Sequence, residues 1–323
     1  MRKRNILIGC GILFFTLVLF IVLVALISQS FTGRMKRDAS FAVGGGGGDK
    51  VGVLYVTGII RTGGEQYSLF DDTGSGSDSI VRALDRGARN RRIKSVLVRI
   101  NSPGGSAAAA QEIYNQIKRV RTEHGKPVII SMGDVAASGG YYVASAADTI
   151  FADPATITGS IGVIMEYLNL EGTLDKIGMA PITFKSVRHK DIGSPFRPLS
   201  EEEKAILQDA IDGIHNQFVA DVAAGRNLPL DEVKKIADGR FYTGEQALKL
   251  KLVDRTGGYQ EALEYAARAG GLKVPPDVEY LQRVHPFSFL TAFSRLAMGR
   301  LTGRDALEGV AGYLLAPPWL IQE

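Results

Sequence analysis

Cysteine is almost absent from the sequence and histidine is scarce: one cysteine and four histidines occur among 323 residues. A single cysteine excludes an intrachain disulfide framework and any metal site built from several cysteines. The hydrophobic share of 45% and the charged share of 22% are ordinary for a globular protein, which argues against wholesale disorder. We therefore expect one large domain or two smaller ones, with neither a metal ion nor another cofactor.

A charge excess is also lacking over most of the chain. The formal net charge is +4, but the first 37 residues contain six basic residues and no acidic one. The remainder has 32 basic and 34 acidic residues. A nucleic-acid-binding domain needs a basic surface, so we expect no nucleic-acid partner.

The uncharged run at residues 6–27 predicts one membrane-spanning helix. Its 22 residues would form a helix ~33 Å long, enough to cross ~30 Å of hydrocarbon. The basic residues at positions 2–4 favour a cytoplasmic N-terminus. We predict a cytoplasmic segment at 1–5, a signal anchor at 6–27 and a glycine-rich linker at 28–49. The following domain would then lie on the outer side of the cytoplasmic membrane.

Two other interpretations of this segment are less favoured by its length and position. A cleaved secretory signal usually has an apolar region of ~7–15 residues with a small-residue cleavage site close behind it. Here the run is longer, and the nearest small-residue sequence, at 39–42, lies far beyond it. A lipoprotein signal ending at Cys10 is disfavoured, because only four residues of the apolar run precede that cysteine.

The next part of the chain alternates between strand and helix patterns. After a strand at 51–56 and a polar loop at 62–77, helices are predicted at 79–92, 106–124 and 138–147, and strands at 95–100, 127–130 and 149–151. Strands that alternate with helices of this length form β-α-β units with a mostly parallel sheet. The sequence therefore predicts an α/β fold.

Helices dominate the later part of the chain. The sequence Ser200-Glu-Glu-Glu203 is a capping box that opens a long helix to about Ala224. Shorter helices are predicted at 231–237, 243–250 and 259–269. The tail at 274–323 is rich in proline and would pack on the domain, on the membrane or on a neighbouring subunit.

Two glycine-rich segments follow predicted strands and carry the candidate chemistry. In the segment 101–106, two glycines expose backbone N–H groups before a helix, which suits an anion or a developing oxyanion. In the segment 133–142, Ser138 stands among small residues where a helix begins. This serine is a candidate nucleophile, although serine at a helix start is often only an N-cap.

A serine nucleophile needs a base. Three of the histidines lie on a charged helix end, within the long helix and in the proline-rich tail, respectively. The fourth, His189, is followed by Lys190. A lysine can act as a base where burial favours its neutral form.

These segments together resemble the signal peptide peptidase A family, the S49 serine proteases of the Clp-protease/crotonase-like fold. The resemblance covers most of residues 50–270 and rests on four ordered motifs, at 99–105, 133–142, 158–162 and 237–244. One copy of the domain is present, as in the short form of the family. The resemblance implies a peptidase domain at 50–273, followed by the tail.

The resemblance also implies the roles of individual residues. Ser138 matches the nucleophile and Lys190 the general base, with Lys185 as the alternative base. The remaining matches are a serine that positions the lysine amine and two oxyanion-hole donors, namely Ser160, Gly139 and Gly105. The stretch 186–189, Ser-Val-Arg-His, departs from the glycine-containing sequence that is common before the lysine.

The function implied by the resemblance is the degradation of remnant signal peptides and other apolar, unfolded peptides. The family also implies a homo-oligomeric ring, such as an octamer, in which the tail could occupy a neighbour's groove. Three alternatives remain at this point: a crotonase-like acyl-CoA enzyme, a stomatin-type membrane-protein peptidase and a catalytically silent membrane scaffold.

Overall fold

The computed structural model describes residues 48–63 and 76–282. Its strands are β1 (Lys50–Ile60), β2 (Ile93–Gly105), β3 (Val128–Ala137), β4 (Thr149–Ala152), β5 (Ile157–Gly159), β6 (Phe241–Thr243), β7 (Arg255–Thr256) and β8 (Val278–Tyr280). Its helices are α1 (Ser77–Arg89), α2 (Ala107–Thr122), α3 (Gly139–Ser145), α4 (Glu171–Lys176), α5 (Glu201–Arg226), α6 (Leu230–Ile236), α7 (Gly244–Lys249) and α8 (Tyr259–Ala269).

The sheet confirms the predicted α/β class. Its strands follow the order β6-β5-β3-β2-β1, and β4 pairs with both β3 and β7. The pairs β1–β2, β2–β3, β3–β4, β3–β5 and β4–β7 are parallel, whereas β5–β6 is antiparallel. The sheet is therefore mixed, with a parallel centre of the kind that β-α-β connections produce.

The central strands are apolar on both faces because both faces are covered. Val96, Leu97 and Val98 are consecutive in β2, and all three are fully buried. Helix α8 packs against β2 and β3, while α3 packs against β2, α2 and α5. Continuous burial of this kind is typical of strands at the centre of a parallel sheet.

Two predicted loops proved to be strand. We expected β2 to end at Ile100, but it continues to Gly105 and pairs Gly104 and Gly105 with Ile59 and Ile60 of β1. Strand β3 likewise extends to Ala137. The glycine-rich segments are therefore held by the sheet, which fixes the residues that follow them.

Helix α5 begins with the predicted capping box, in which the Ser200 hydroxyl accepts from the Glu203 N–H. Its apolar residues are not all buried in the core. Ile206 and Ile214 are about two-fifths exposed, and the buried apolar residues, such as Phe218 and Val222, lie in the second half of the helix.

Several of the predicted segments lie outside the described residues. They are the anchor at 6–27, most of the linker at 28–49 and most of the tail at 274–323. Much of the polar loop at 62–77 also lies outside the described residues. In the part of the chain that is described, no helix combines the length and apolar character needed to span a bilayer.

The described residues group mainly into one compact unit, formed by 49–276 and 280–282. Residues 277–279 are grouped apart from that unit.

Candidate active site

Ser138 lies on the sharp turn between β3 and α3. Its φ of 50° and ψ of −120° place a non-glycine residue in a sparsely populated conformation. The Ser138 N–H donates to the Gly159 carbonyl at 2.9 Å, and its own carbonyl accepts from the Tyr142 N–H at 2.9 Å. The Ser138 hydroxyl makes no capping hydrogen bond, although the residue occupies the N-cap position. The backbone thus holds a half-buried hydroxyl at a helix start without using it as a cap.

The glycines of β2 lie directly against this turn. A Cβ atom on Gly104 would stand 2.7 Å from the Gly139 nitrogen and 2.9 Å from the Ser138 Cβ. A Cβ atom on Gly139 would stand 3.3 Å from the Gly105 nitrogen. The two glycine-rich segments therefore meet, and the backbones of Gly105 and Gly139 approach each other beside Ser138.

Gly105 itself has no room for a side chain. Its φ is +145°, and a Cβ atom would stand 2.1 Å from the Ile60 carbonyl oxygen. The preceding turn is fixed by Ser102, whose hydroxyl donates to the Gly58 carbonyl at 2.6 Å and accepts from the Gly104 N–H at 3.1 Å. This close packing requires glycine for steric reasons.

Ser160 occupies the equivalent position on the neighbouring strand. Ala137 of β3 pairs with Gly159 of β5, so a serine follows each member of the pair. Ser160 also has a φ of 50°, and its N–H donates to the Arg240 carbonyl at 2.9 Å. The structure therefore brings together four of the predicted site residues: Ser138, Gly139, Gly105 and Ser160.

The structure does not join Lys190 to Ser138 through a hydrogen bond. Lys190 is exposed, and its backbone N–H donates to the Val187 carbonyl at 3.3 Å. Within the described ranges, neither the Ser138 hydroxyl nor the Lys190 ammonium group has a hydrogen bond or an ion pair. The alternative base, Lys185, is engaged instead: its Nζ lies 2.8 Å from Asp191 Oδ1 and 3.0 Å from the Arg188 carbonyl.

A charge network that the sequence did not reveal lies next to Lys190. Arg197 Nε donates to Asp191 Oδ2 at 2.8 Å, and its Nη1 and Nη2 donate to the two carboxylate oxygens of Glu203 at 2.8 and 2.6 Å. Hydrogen bonds from Arg197, and then from Lys185, hold the pKa of Asp191 well below its usual value. Hydrogen bonds from Arg197 and from the Ser200 backbone lower the pKa of Glu203 to about 2. Both carboxylates are therefore ionised at neutral pH.

Residues 163–199, here called the arm, connect β5 and its following turn to α5. In this fully described stretch, α4 is the only regular element. Its apolar side chains are unusually exposed: Phe184 is 94% exposed, and Ile164 and Ile182 are each 80% exposed. Lys185 and Lys190 both lie on this arm.

His189, the histidine nearest to Lys190, lies 3.3 Å from Glu202 Oε1 through its Nε2 atom. In the described ranges, no group of three His, Cys, Asp or Glu side chains lies close enough to hold a metal ion. A cavity of about 430 Å³ contains none of the predicted site residues in its lining, which is formed by Phe151, Leu248, Asp254, Arg255, Thr256, Glu261, Tyr265 and Arg268.

Known protein families match the chain over these same elements. A model of peptidase family S49 matches residues 121–273, and a Clp protease model matches residues 72–156. A putative protease of Synechocystis sp. is 43% identical over 257 residues, which cover 80% of this chain and 84% of that protein.

A "Putative signal peptide peptidase SppA" of Enterococcus faecium is 32% identical over 292 residues, which cover 86% of this chain and 84% of that protein. "Protease 4" of Haemophilus influenzae is 37% identical over 68% of this chain and 34% of its own length. The named function of these relatives is proteolysis, as the resemblance implied. They lend no support to the acyl-CoA enzyme or to the silent scaffold.

Proposed function

Because the chain belongs to peptidase family S49 and is a serine protease, we propose that Ser138 is its nucleophile and Lys190 its general base. The main structural support for this proposal is the conformation of Ser138. Its strained turn presents an uncapped hydroxyl at the start of α3, directly beside the glycines of β2. Strained turns of this kind present the nucleophile in other serine hydrolases.

The proposed reaction begins when Ser138 Oγ attacks a peptide carbonyl and neutral Lys190 takes its proton. The N–H groups of Gly139 and Gly105 stabilise the tetrahedral oxyanion. The first N–H groups of a helix have no intrahelical acceptor, so Gly139 is suited to this role. Protonated Lys190 then donates to the leaving amine, and the acyl-enzyme is hydrolysed with the same lysine as base. Ser160 would position the lysine amine.

The proposed substrates are remnant signal peptides and other apolar, unfolded peptides at the outer face of the cytoplasmic membrane. Two observations support this choice. One relative bears the name of a signal peptide peptidase. The uncharged run at 6–27 is long enough to anchor the chain where such peptides leave the bilayer.

The proposed assembly is a homo-oligomer, as in the ring that the resemblance implies. The arm supports it, because soluble monomers rarely leave many large apolar side chains exposed on one segment. Phe184, Ile164 and Ile182 would be covered by a second copy of the chain.

Assembly would also offer a way to complete the catalytic dyad. The nucleophile and its base must come within hydrogen-bond reach of each other in the working complex. Lys190 is exposed and unpaired within the described part of the chain, and it lies on the same arm as the exposed apolar residues. We therefore include in the proposal that Lys190 of one copy serves Ser138 of its neighbour.

Peptide hydrolysis by purified full-length protein tests the proposed dyad. Ser138→Ala should abolish cleavage of apolar peptides and Lys190→Ala should reduce it by about 10²–10⁴-fold. Ser79→Ala, at a serine of α1 outside the proposed site, should leave cleavage unchanged. Wild-type rates from both dyad variants would refute the assignment. Cleavage of folded membrane proteins in preference to signal peptides would refute the proposed substrate class alone.

Mixing the two inactive variants tests the shared site. If the dyad forms between copies, mixed oligomers of Ser138→Ala and Lys190→Ala contain some intact pairs and recover part of the activity. If the dyad forms within one chain, the mixture stays inactive, because no chain carries both residues. Each variant alone, at the same total concentration, is the control.

A further inference from the structure

Lys185 and Lys190 lie close together on the arm, but their ammonium groups have different surroundings. Lys185 Nζ lies 2.8 Å from Asp191 Oδ1 and donates to the Arg188 carbonyl at 3.0 Å. Lys190 has no such partner within the described residues. Asp191, which forms the ion pair with Lys185, directly follows Lys190 in the chain.

Asp191 is held from a second side by Arg197. Arg197 donates from Nε to Asp191 Oδ2 at 2.8 Å and from Nη2 to the Asp191 carbonyl at 3.2 Å. Both the side chain and the backbone of Asp191 are therefore fixed. Because Asp191 directly follows Lys190, fixing its backbone also restricts the position of the Lys190 backbone.

Glu203 anchors this arginine to the fold. It accepts two hydrogen bonds from Arg197, and its side chain is only 5% exposed. The same carboxylate accepts from the Ser200 N–H at 2.9 Å, and the Ser200 hydroxyl accepts from the Glu203 N–H at 3.2 Å. Helix α5 starts at this cap and is packed into the core at its other end through Phe218 and Val222.

We propose that Asp191, Arg197 and Glu203 form a positioning device that ties the segment bearing Lys190 to α5, and that Asp191 keeps Lys185 from acting as the base. This inference rests on the proposed function of Lys190. The three residues act through Lys190 and do not contact the substrate. Arg197 is the central member, because its planar fork reaches both carboxylates.

The physical need for such a device follows from the structure of the arm. Residues around Lys190 have no strand ladder or helix to fix them. A misplacement of about 1 Å of a catalytic group can cost about 10²-fold in rate. A nearly buried ion pair often adds little net stability, but it can specify one conformation. The network supplies the fixed geometry that the irregular backbone lacks.

The test is a double-mutant cycle on the full-length chain. Arg197→Ala should lower kcat for peptide hydrolysis by about 10²-fold with little change in KM. Arg197→Lys should recover part of that kcat, because it keeps the charge but loses the fork. In a Lys190→Ala background, Arg197→Ala should cause no further loss in the residual hydrolysis of a p-nitrophenyl ester, an activated substrate.

If Arg197→Ala fails to fold, Asp191→Asn provides a second test of the network, because this variant keeps the Arg197–Glu203 pair. It should lower kcat about tenfold. The matched control is Arg188→Ala, which removes another arginine–glutamate pair of the same region, Arg188 with Glu202, at an exposed site. Its kcat should stay within about twofold of the wild type.

These measurements distinguish a failure of the positioning device from a failure of the Ser138–Lys190 dyad. Wild-type kcat in Arg197→Ala or Asp191→Asn, while Lys190→Ala is inactive, would overturn the positioning device alone. An equal loss from Arg197→Ala with and without Lys190 would also overturn it, because the effect would then be on general structure. Wild-type kcat in Lys190→Ala would overturn the proposed dyad itself.

Discussion

Ser138 donates its backbone N–H to the Gly159 carbonyl at 2.9 Å, and the residue after Gly159 is Ser160. Both serines have a φ of 50°. The hydrogen bond ties the turn of the proposed nucleophile to the strand end that carries the serine proposed to position the base. The geometry of the site therefore depends on the short parallel pairing of β3 with β5.

The backbone strain at Ser138 predicts an unusual order of stability. Replacing Ser138 with glycine should relieve the strain at φ 50°, ψ −120°, whereas alanine retains it. We expect Ser138→Gly to be more stable than Ser138→Ala by about 1 kcal/mol, the strain relief less the entropic cost of glycine. Urea unfolding of the two inactive variants measures the difference. A less stable glycine variant would show that the turn is not strained.

The close approach of β2 to the turn predicts that Gly104→Ala is nearly inactive. The new Cβ would stand 2.7 Å from the Gly139 nitrogen and must displace this proposed oxyanion donor. Losing one such donor costs about 10²–10³-fold in kcat. Gly213→Ala is the control, because its Cβ would meet no atom within 4 Å. Steady-state kinetics on one peptide compare the two variants, and equal activity would refute the role of Gly139.

The different surroundings of the two lysines predict unequal effects of their removal. Lys190→Ala should lower kcat by about 10²–10⁴-fold, the usual contribution of a general base. Lys185→Ala should lower it by less than about tenfold, because Lys185 is already paired with Asp191. The reverse order would transfer the role of base to Lys185.

The lowered pKa of Glu203 predicts how the network responds to acid. Its pKa falls from 4.5 to about 2 in the folded chain. A depressed carboxylate stabilises the folded state fully above its unfolded pKa, and this contribution is lost as pH falls from about 4.5 towards 2. The melting temperature of the wild type should therefore fall more steeply over this window than that of Glu203→Gln. Parallel curves would mean that Glu203 contributes no pH-dependent stability.

The exposed arm predicts that Phe184→Ser weakens self-association. Phe184 is 94% exposed in one chain and would become buried against a second copy. Phe241→Ser is the matched control, because Phe241 is 69% exposed but belongs to β6 and not to the arm. Light scattering coupled to size exclusion should show a smaller assembly for Phe184→Ser alone. An unchanged mass would place the oligomer contact elsewhere.

The turn at Ser138 could be predicted from sequence because its signals are local: a strand pattern, small residues and a helix pattern follow one another. The extension of β2 through Gly104 and Gly105 could not be predicted, because consecutive glycines in a sequence indicate a loop unless a partner strand pairs with them. The partner here is Ile59–Ile60, distant in sequence.

The Asp191–Arg197–Glu203 network was missed for a related reason. The capping box at Ser200 predicted the local role of Glu203 correctly. The pairing of its carboxylate with Arg197 depends on the irregular path of the arm, and no periodic pattern in the sequence encodes that path. The different surroundings of the Lys185 and Lys190 side chains depend on the same path. They could therefore not be predicted from the sequence either.

The most direct measurement of the central claim is covalent labelling of full-length protein with a fluorophosphonate, followed by peptide mapping. We expect one modified serine, Ser138, and a strong loss of labelling rate in Lys190→Ala, since the lysine activates the hydroxyl. Labelling of a different serine, or an unchanged rate without Lys190, would contradict it.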